Sequence, residues 1–258
     1  FVAWHDAPLG DVPIAAYTVA PFAPHHLERS FGRTRDMLTW MQQKLGVPYP
    51  FPKYYQFALP GFGGAMENIS LVSWDDVFLL DEALATEWSR LVDQVNVHEM
   101  AHAWFGDLVV CRDFAHAWLK ESWATYMEIC WFEDRVGVDE RDYELYCAAG
   151  RYFGEADRRY VRPVVTRTFN ASWQLYDAHL YPGGACRLHT LRSMLGDDVF
   201  WRGVRLYLER WRERTVETDD FRRTLEEVSG RALGPFFDQW IHGKGYPLLK
   251  ATVAWDAV

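Results

Sequence analysis

The 258-residue chain has only four cysteines, Cys111, Cys130, Cys147 and Cys186, and no two of them form a CxxC pair. That excludes a disulfide-stapled scaffold and reads as reduced thiols in a reducing compartment, so a cytoplasmic setting is expected. No apolar run approaches the ~20 residues that a membrane-spanning helix needs. The front of the chain also lacks the charged-then-apolar pattern of a signal peptide. The net charge is −9 and no stretch forms a basic stripe, which argues against nucleic acid as a partner. Internal repeats and low-complexity segments are absent, so a solenoid is not expected. What remains is a globular chain long enough to bury a core without staples. It opens on Phe1 rather than Met, and is expected to be part of a longer protein.

Aromatic residues are plentiful: 13 Trp, 13 Tyr and 16 Phe. Such side chains fill cores and also line clefts, so their number alone does not choose between those uses. Patterning is more informative. "PIAAYTVAP", "YYQFAL" and "ISLVSW" read as strands. Residues 25–45 fit one helix ended by Gly46 and Pro48. Residues 81–108 support one or two helices, interrupted or capped near Gly106. Further helices are expected over 118–136, 139–157, 181–195, 197–212, 218–228 and 235–242, with a loop over 161–173. "YPLLKATVAW" at the end is strand-like. The expected fold class is therefore α+β and predominantly helical, a small β-rich lobe followed by a larger helical lobe. A cleft between two such lobes is a common place for a site.

One short stretch carries metal chemistry. "NVHEMAHAWFGDLVV" contains His98, Glu99 and His102 in an H-E-x-x-H pattern. Residues four apart share a helical face, so both imidazoles can reach one ion, and Glu99 on the flank can take a proton from a metal-activated water. Val95, Val97, Met100 and Trp104 give the segment an apolar opposite face. A catalytic zinc needs a third protein ligand and an open position. Glu121, nineteen positions after His102, is the candidate; taken alone it reads as an ordinary helix glutamate. Glu128 either faces solvent or holds a histidine's second nitrogen. His116, His179, His189 and His242 have no ligand-like spacing and read as core or surface, and His5, His25 and His26 read as solvated. Glu67, between the Gly-rich loop of "GFGGAMENISLVSW" and an apolar strand, reads by itself as a satisfied structural carboxylate.

Three separated motifs together resemble the gluzincin aminopeptidases, the family of aminopeptidase N and leukotriene hydrolase. They are "GGAMEN", "VHEMAHAWFGDLV" followed by "WLKESWATYME", and "DAHLYPGGACRLHTL"; "FFDQWIHGKGYPLL" resembles the close of that family's catalytic domain. The resemblance implies a thermolysin-like catalytic domain over residues 21–245. Residues 1–20 would lead in from an N-terminal β domain, and residues 246–258 would begin a following element. It implies one zinc ion per chain on His98, His102 and Glu121, with Glu99 as the general base and Tyr181 as a donor to the oxyanion. Without the resemblance, Tyr181 would read as core. Glu67 would bind a free α-ammonium, and Gly64, Ala65, Met66 and Asn68 would complete the substrate site, with Gly63 also allowing close approach. The implied activity is hydrolysis of the N-terminal residue from peptides with a free N-terminus. A binding domain with weak or lost catalysis and a thermolysin-like endopeptidase are the alternatives. Lys120 and Ser122 depart from the pattern, standing where the family usually has Asn and Gly, and Gly183 stands where Lys is frequent.

Overall fold

Alternation of buried and half-exposed side chains runs through the front of the chain, as in the segment where Tyr54, Gln56 and Ala58 are buried and their neighbours are not. That period of two makes strands with one face on a core. In the computed structural model, which describes residues 1–255, five such segments form one sheet. They are Val2–His5 (β1), Ile14–Thr18 (β2), Tyr54–Leu59 (β3), Ala65–Met66 (β4) and Leu71–Asp75 (β5), in the order β1-β2-β3-β5-β4. Residues 1–20, read from the sequence as a linker or strand leading in, supply β1 and β2. The β2–β3 and β3–β5 pairs are parallel, and the outer pairs are antiparallel. A parallel pair needs a crossover; between β2 and β3 it is made by Pro24–Phe31 (α1) and Thr34–Leu45 (α2). The single helix expected over 25–45 is therefore two. The break falls at Gly32 and Arg33, where glycine is a poor helix former by about 1 kcal/mol.

The rest is helical: Glu82–Ala101 (α3), Trp118–Val136 (α4), Val138–Arg158 (α5), Pro182–Leu195 (α6), Asp197–Arg210 (α7), Thr218–Ser229 (α8) and Gly234–Phe237 (α9), which runs into a wider turn over Asp238–His242. Val109–Cys111 (β6) and Arg214–Val216 (β7) form a short parallel ribbon beside them. None of the helices among the described residues is long and apolar enough to cross a membrane. The helix α4 is central: 14 of its 19 residues are buried, so any charge on it must find a partner. The aromatic load goes largely into this core, where Phe105 stacks on Trp123 at 4.4 Å and Phe200 and Phe221 pack around the same indole.

Polar contacts join the two lobes. Thr34 Oγ1 accepts from Gln56 Nε2 and from Asn96 Nδ2, each at 2.9 Å, with all three residues fully buried. One hydroxyl thus ties α2, β3 and α3 together. The strand-like reading of "YPLLKATVAW" does not hold: residues 246–255 form no strand, and Leu248, Leu249, Val253 and Trp255 are exposed with no neighbouring strand to pair with among the described residues. The last three residues of the element expected over 246–258 lie outside the described residues.

Close approach of α4 and α6 fixes the back of the cleft. Ser122 Oγ donates to the Leu180 carbonyl at 2.6 Å, and a Cβ added to Gly184 would lie 1.8 Å from that oxygen. Gly184→Ala is expected to lower stability by about 1–3 kcal/mol through overpacking, seen in calorimetry as a melting temperature several degrees lower. An unchanged melting temperature would refute the tight contact.

Candidate active site

The first two histidines sit where α3 ends. Asp81 caps its start, its carboxylate accepting from Leu84 N–H at 2.8 Å. The helix closes at Ala101, earlier than Gly106, because the backbone tightens to three-residue bonds, Ala103 to Met100 and Trp104 to Ala101. His102 keeps helical torsions of −59° and −25° at this cap. The four-residue spacing therefore still puts both rings on one side, 5.0 Å apart. Val97, Met100 and Trp104 pack into the core behind them.

Each imidazole is oriented from behind. His98 Nδ1 lies 2.5 Å from Glu128 Oε1, and Gln94 Nε2 donates to the other oxygen of Glu128 at 2.6 Å. His102 Nδ1 donates to the Phe105 carbonyl at 3.0 Å. With both Nδ1 atoms engaged, both Nε2 atoms face inward. Each lies 3.3 Å from the same atom, Glu121 Oε2. For tetrahedral zinc with ligand bonds of about 2.0–2.1 Å, neighbouring donors lie about 3.3 Å apart. The donor set fits zinc in kind and in spacing: His98, His102 and Glu121 all offer an atom within 4.8 Å of the others. Glu128, which the sequence left open between solvent and this contact, is buried against His98.

Glu99 is 8 % exposed, and its Oε2 has no protein partner. Burial pushes its carboxyl above the ordinary value, with Glu67 and Glu121 adding to this against His98 and His102. Tyr181 stands at the start of α6 with its ring 5.9 Å from that of His98. Burial raises its pKa, and the nearby carboxylate of Glu121 raises it further, so the phenol stays a donor. A cavity of about 260 Å³ is lined by these groups together with Ala65, Met66, Glu67, Lys120 and Tyr176.

The loop that brings Glu67 here is built on glycine. Gly63 and Gly64 have φ of +82° and +139°, torsions that side chains rarely tolerate. Asp75 at the end of β5 pins the loop: its carboxylate accepts from Gly63 N–H at 2.6 Å and from Val77 N–H at 3.0 Å. Those bonds hold its carboxyl below the usual range. Gly64 itself serves the loop, its carbonyl accepting from Asp75 N–H at 2.7 Å. Asn68 turns away from the cavity and donates to Ser73 Oγ at 3.0 Å. Of the five expected substrate residues, Ala65, Met66 and Glu67 line the cavity.

Sequence reading missed two residues. Asp75 was not singled out from the sequence. Lys120 was noted only as a departure, yet its ammonium lies 2.5 Å from Glu67 Oε1 and 2.8 Å from Glu121 Oε1. Burial opposes its charge, but Glu121 and Glu67 outweigh burial and hold its pKa above the usual lysine value. Its place directly before Glu121 on a buried helix was the available signal.

A family model described as the peptidase family M1 domain matches residues 29–240. The chain belongs to peptidase family M1. It is 32% identical over 247 residues to aminopeptidase 2 of Candida albicans, covering 93% of this chain and 26% of that protein. It is 32% identical over 246 residues to aminopeptidase N of Lactococcus lactis, covering 90% of this chain and 28% of that protein. The M1 chain thus spans about a quarter of the length of these relatives. A crystal structure of a mutant M1 zinc metallopeptidase from Deinococcus radiodurans, bound to a Tyr-Ser-Ala substrate, superposes with a TM-score of 0.74 at 25% identity, over 97% of this chain and 54% of that one.

The contact between Glu128 and His98 carries a prediction for this M1 site. Partners behind a metal-ligating histidine typically set 10–100-fold in affinity. Glu128→Gln is expected to weaken zinc binding by about that factor, measured by chelator competition. Wild-type zinc affinity in E128Q would refute it.

Proposed function

We propose that the chain is a zinc aminopeptidase catalytic domain, which hydrolyses the N-terminal residue from peptides with a free N-terminus. One observation carries the reading. A three-donor set fit for zinc, an unpartnered buried carboxylate and a second carboxylate at the rim share one small cavity. His98, His102 and Glu121 would hold one zinc ion per chain. Bound there, zinc supplies Lewis acidity to a carbonyl and lowers the pKa of a water.

The chain's own groups do the rest. Glu99 takes the proton of the attacking water at its free Oε2 and hands it to the leaving amine. Its raised pKa makes it a better acceptor than an exposed glutamate. Tyr181 donates to the substrate carbonyl oxygen as charge develops there, and a donor so placed typically contributes about 3–4 kcal/mol. Glu128 keeps His98 in the tautomer that turns Nε2 inward. Glu67 accepts from the α-ammonium through charge-assisted hydrogen bonds. Its carboxylate lies within 4.8 Å of donor atoms of Glu99 and His102. An amine held that close brings only the first peptide bond to the reacting groups. The four free cysteines support a reducing, cytoplasmic setting.

Two measurements test this. Glu99→Gln should keep its zinc and lose about 10²–10⁴-fold in kcat; a zinc-replete E99Q with wild-type turnover would remove Glu99 from the mechanism. Leucine p-nitroanilide should be cleaved and its N-acetyl derivative rejected. Equal cleavage of both would favour an endopeptidase, and no cleavage by the zinc-loaded chain would favour a binding domain.

A further inference from the structure

We propose that Lys120 is a specificity-determining residue, whose ammonium occupies Glu67 in the ligand-free chain so that a substrate amine binds only in exchange for it. The inference rests on the reading of Glu67 as the amine site. Lys120 Nζ donates to Glu67 Oε1 at 2.5 Å, a direct charge-assisted contact. Both side chains are 16 % exposed, so water screens the contact poorly. Lys120 is the one lysine or arginine lining this cavity among the described residues. An α-ammonium reaching Glu67 therefore meets a like charge already on the same carboxylate.

The geometry also shows where Lys120 goes when displaced. Its ammonium bonds Glu121 Oε1 at 2.8 Å, and the Tyr176 ring centroid is 5.9 Å away. Losing Glu67 leaves it one carboxylate and one aromatic face, so exchange weakens amine binding without blocking it. The same positive charge disfavours a first residue that brings a second cation into the cavity. Substrates beginning with Lys or Arg should be poorer than those beginning with an uncharged residue of similar length.

The test titrates leucinamide into the zinc-free 258-residue chain by calorimetry, in wild type, Lys120→Met and Lys120→Arg. K120M should bind leucinamide about 10-fold more tightly, the scale of one charged hydrogen bond, and K120R should match wild type. In the zinc-loaded chain, KM for leucine p-nitroanilide should fall in K120M by more than kcat changes, and relative turnover of the lysine anilide should rise. Equal or weaker leucinamide binding by K120M overturns the inference. Should K120M not fold, K120Q is read in the same way. Glu67→Gln separates the two readings. If E67Q loses leucinamide but K120M gains nothing, only the Lys120 inference fails. If E67Q binds as well as wild type, the amine-site reading fails and takes this inference with it.

Discussion

Everything at this site depends on how one carboxylate is shared. Glu121 turns one oxygen to the Nε2 atoms of both His98 and His102 and the other to Lys120. It does so at 3 % exposure, on the most buried helix of the fold. An unpaired carboxylate there would cost several kcal/mol. The acidic groups gathered around it, Glu67, Glu99 and Glu128, multiply the problem. Positive charge holds them together, from the Lys120 ammonium and the zinc for which the donor set is spaced, while His98 Nδ1 gives Glu128 a hydrogen-bond partner.

That demand explains why the supporting structure is so polar behind its apolar faces. The groups of the site are braced from several parts of the chain. Glu128 on α4 braces a histidine on α3, a backbone carbonyl past the end of α3 braces the other, and Asp75 on β5 braces the loop that carries Glu67. Thr34 ties α3 to the sheet, so the histidines and the glutamate loop cannot drift apart independently. The metal-donor set is preorganised: its atoms already stand at ligand spacing, each imidazole Nε2 3.3 Å from Glu121 Oε2.

Local patterns carried most of this into the sequence. The spacing of His98 and His102 works because it needs only a helical period, and His102 keeps helical torsions at the cap just past the end of α3. Glu121 was legible only in company, since its burial is a tertiary fact. The β3 strand was read to its ends because alternation is strict there. What escaped was long-range. The break at Gly32 interrupts a periodic pattern by one turn, and Asp75 acts by pinning a loop twelve residues earlier in the chain. "YPLLKATVAW" has a strand's composition, but composition does not supply a neighbour. Tyr181 became a site residue only through resemblance, because no local rule separates it from the other tyrosines.

The two departures beside Glu121 show why neighbouring positions on a helix can be used so differently. Successive residues on a helix point about 100° apart, so Lys120 and Ser122 flank Glu121 on opposite sides. Lys120 faces the cavity and its charge meets Glu67. Ser122 faces α6, where its hydroxyl takes the Leu180 carbonyl one residue before Tyr181. A larger side chain at 122 would push α6 away and Tyr181 with it, whereas a shorter one at 120 would leave Glu67 without its counterion. Glu121 is thus held between a residue whose charge faces the cavity and one that packs against the segment carrying Tyr181.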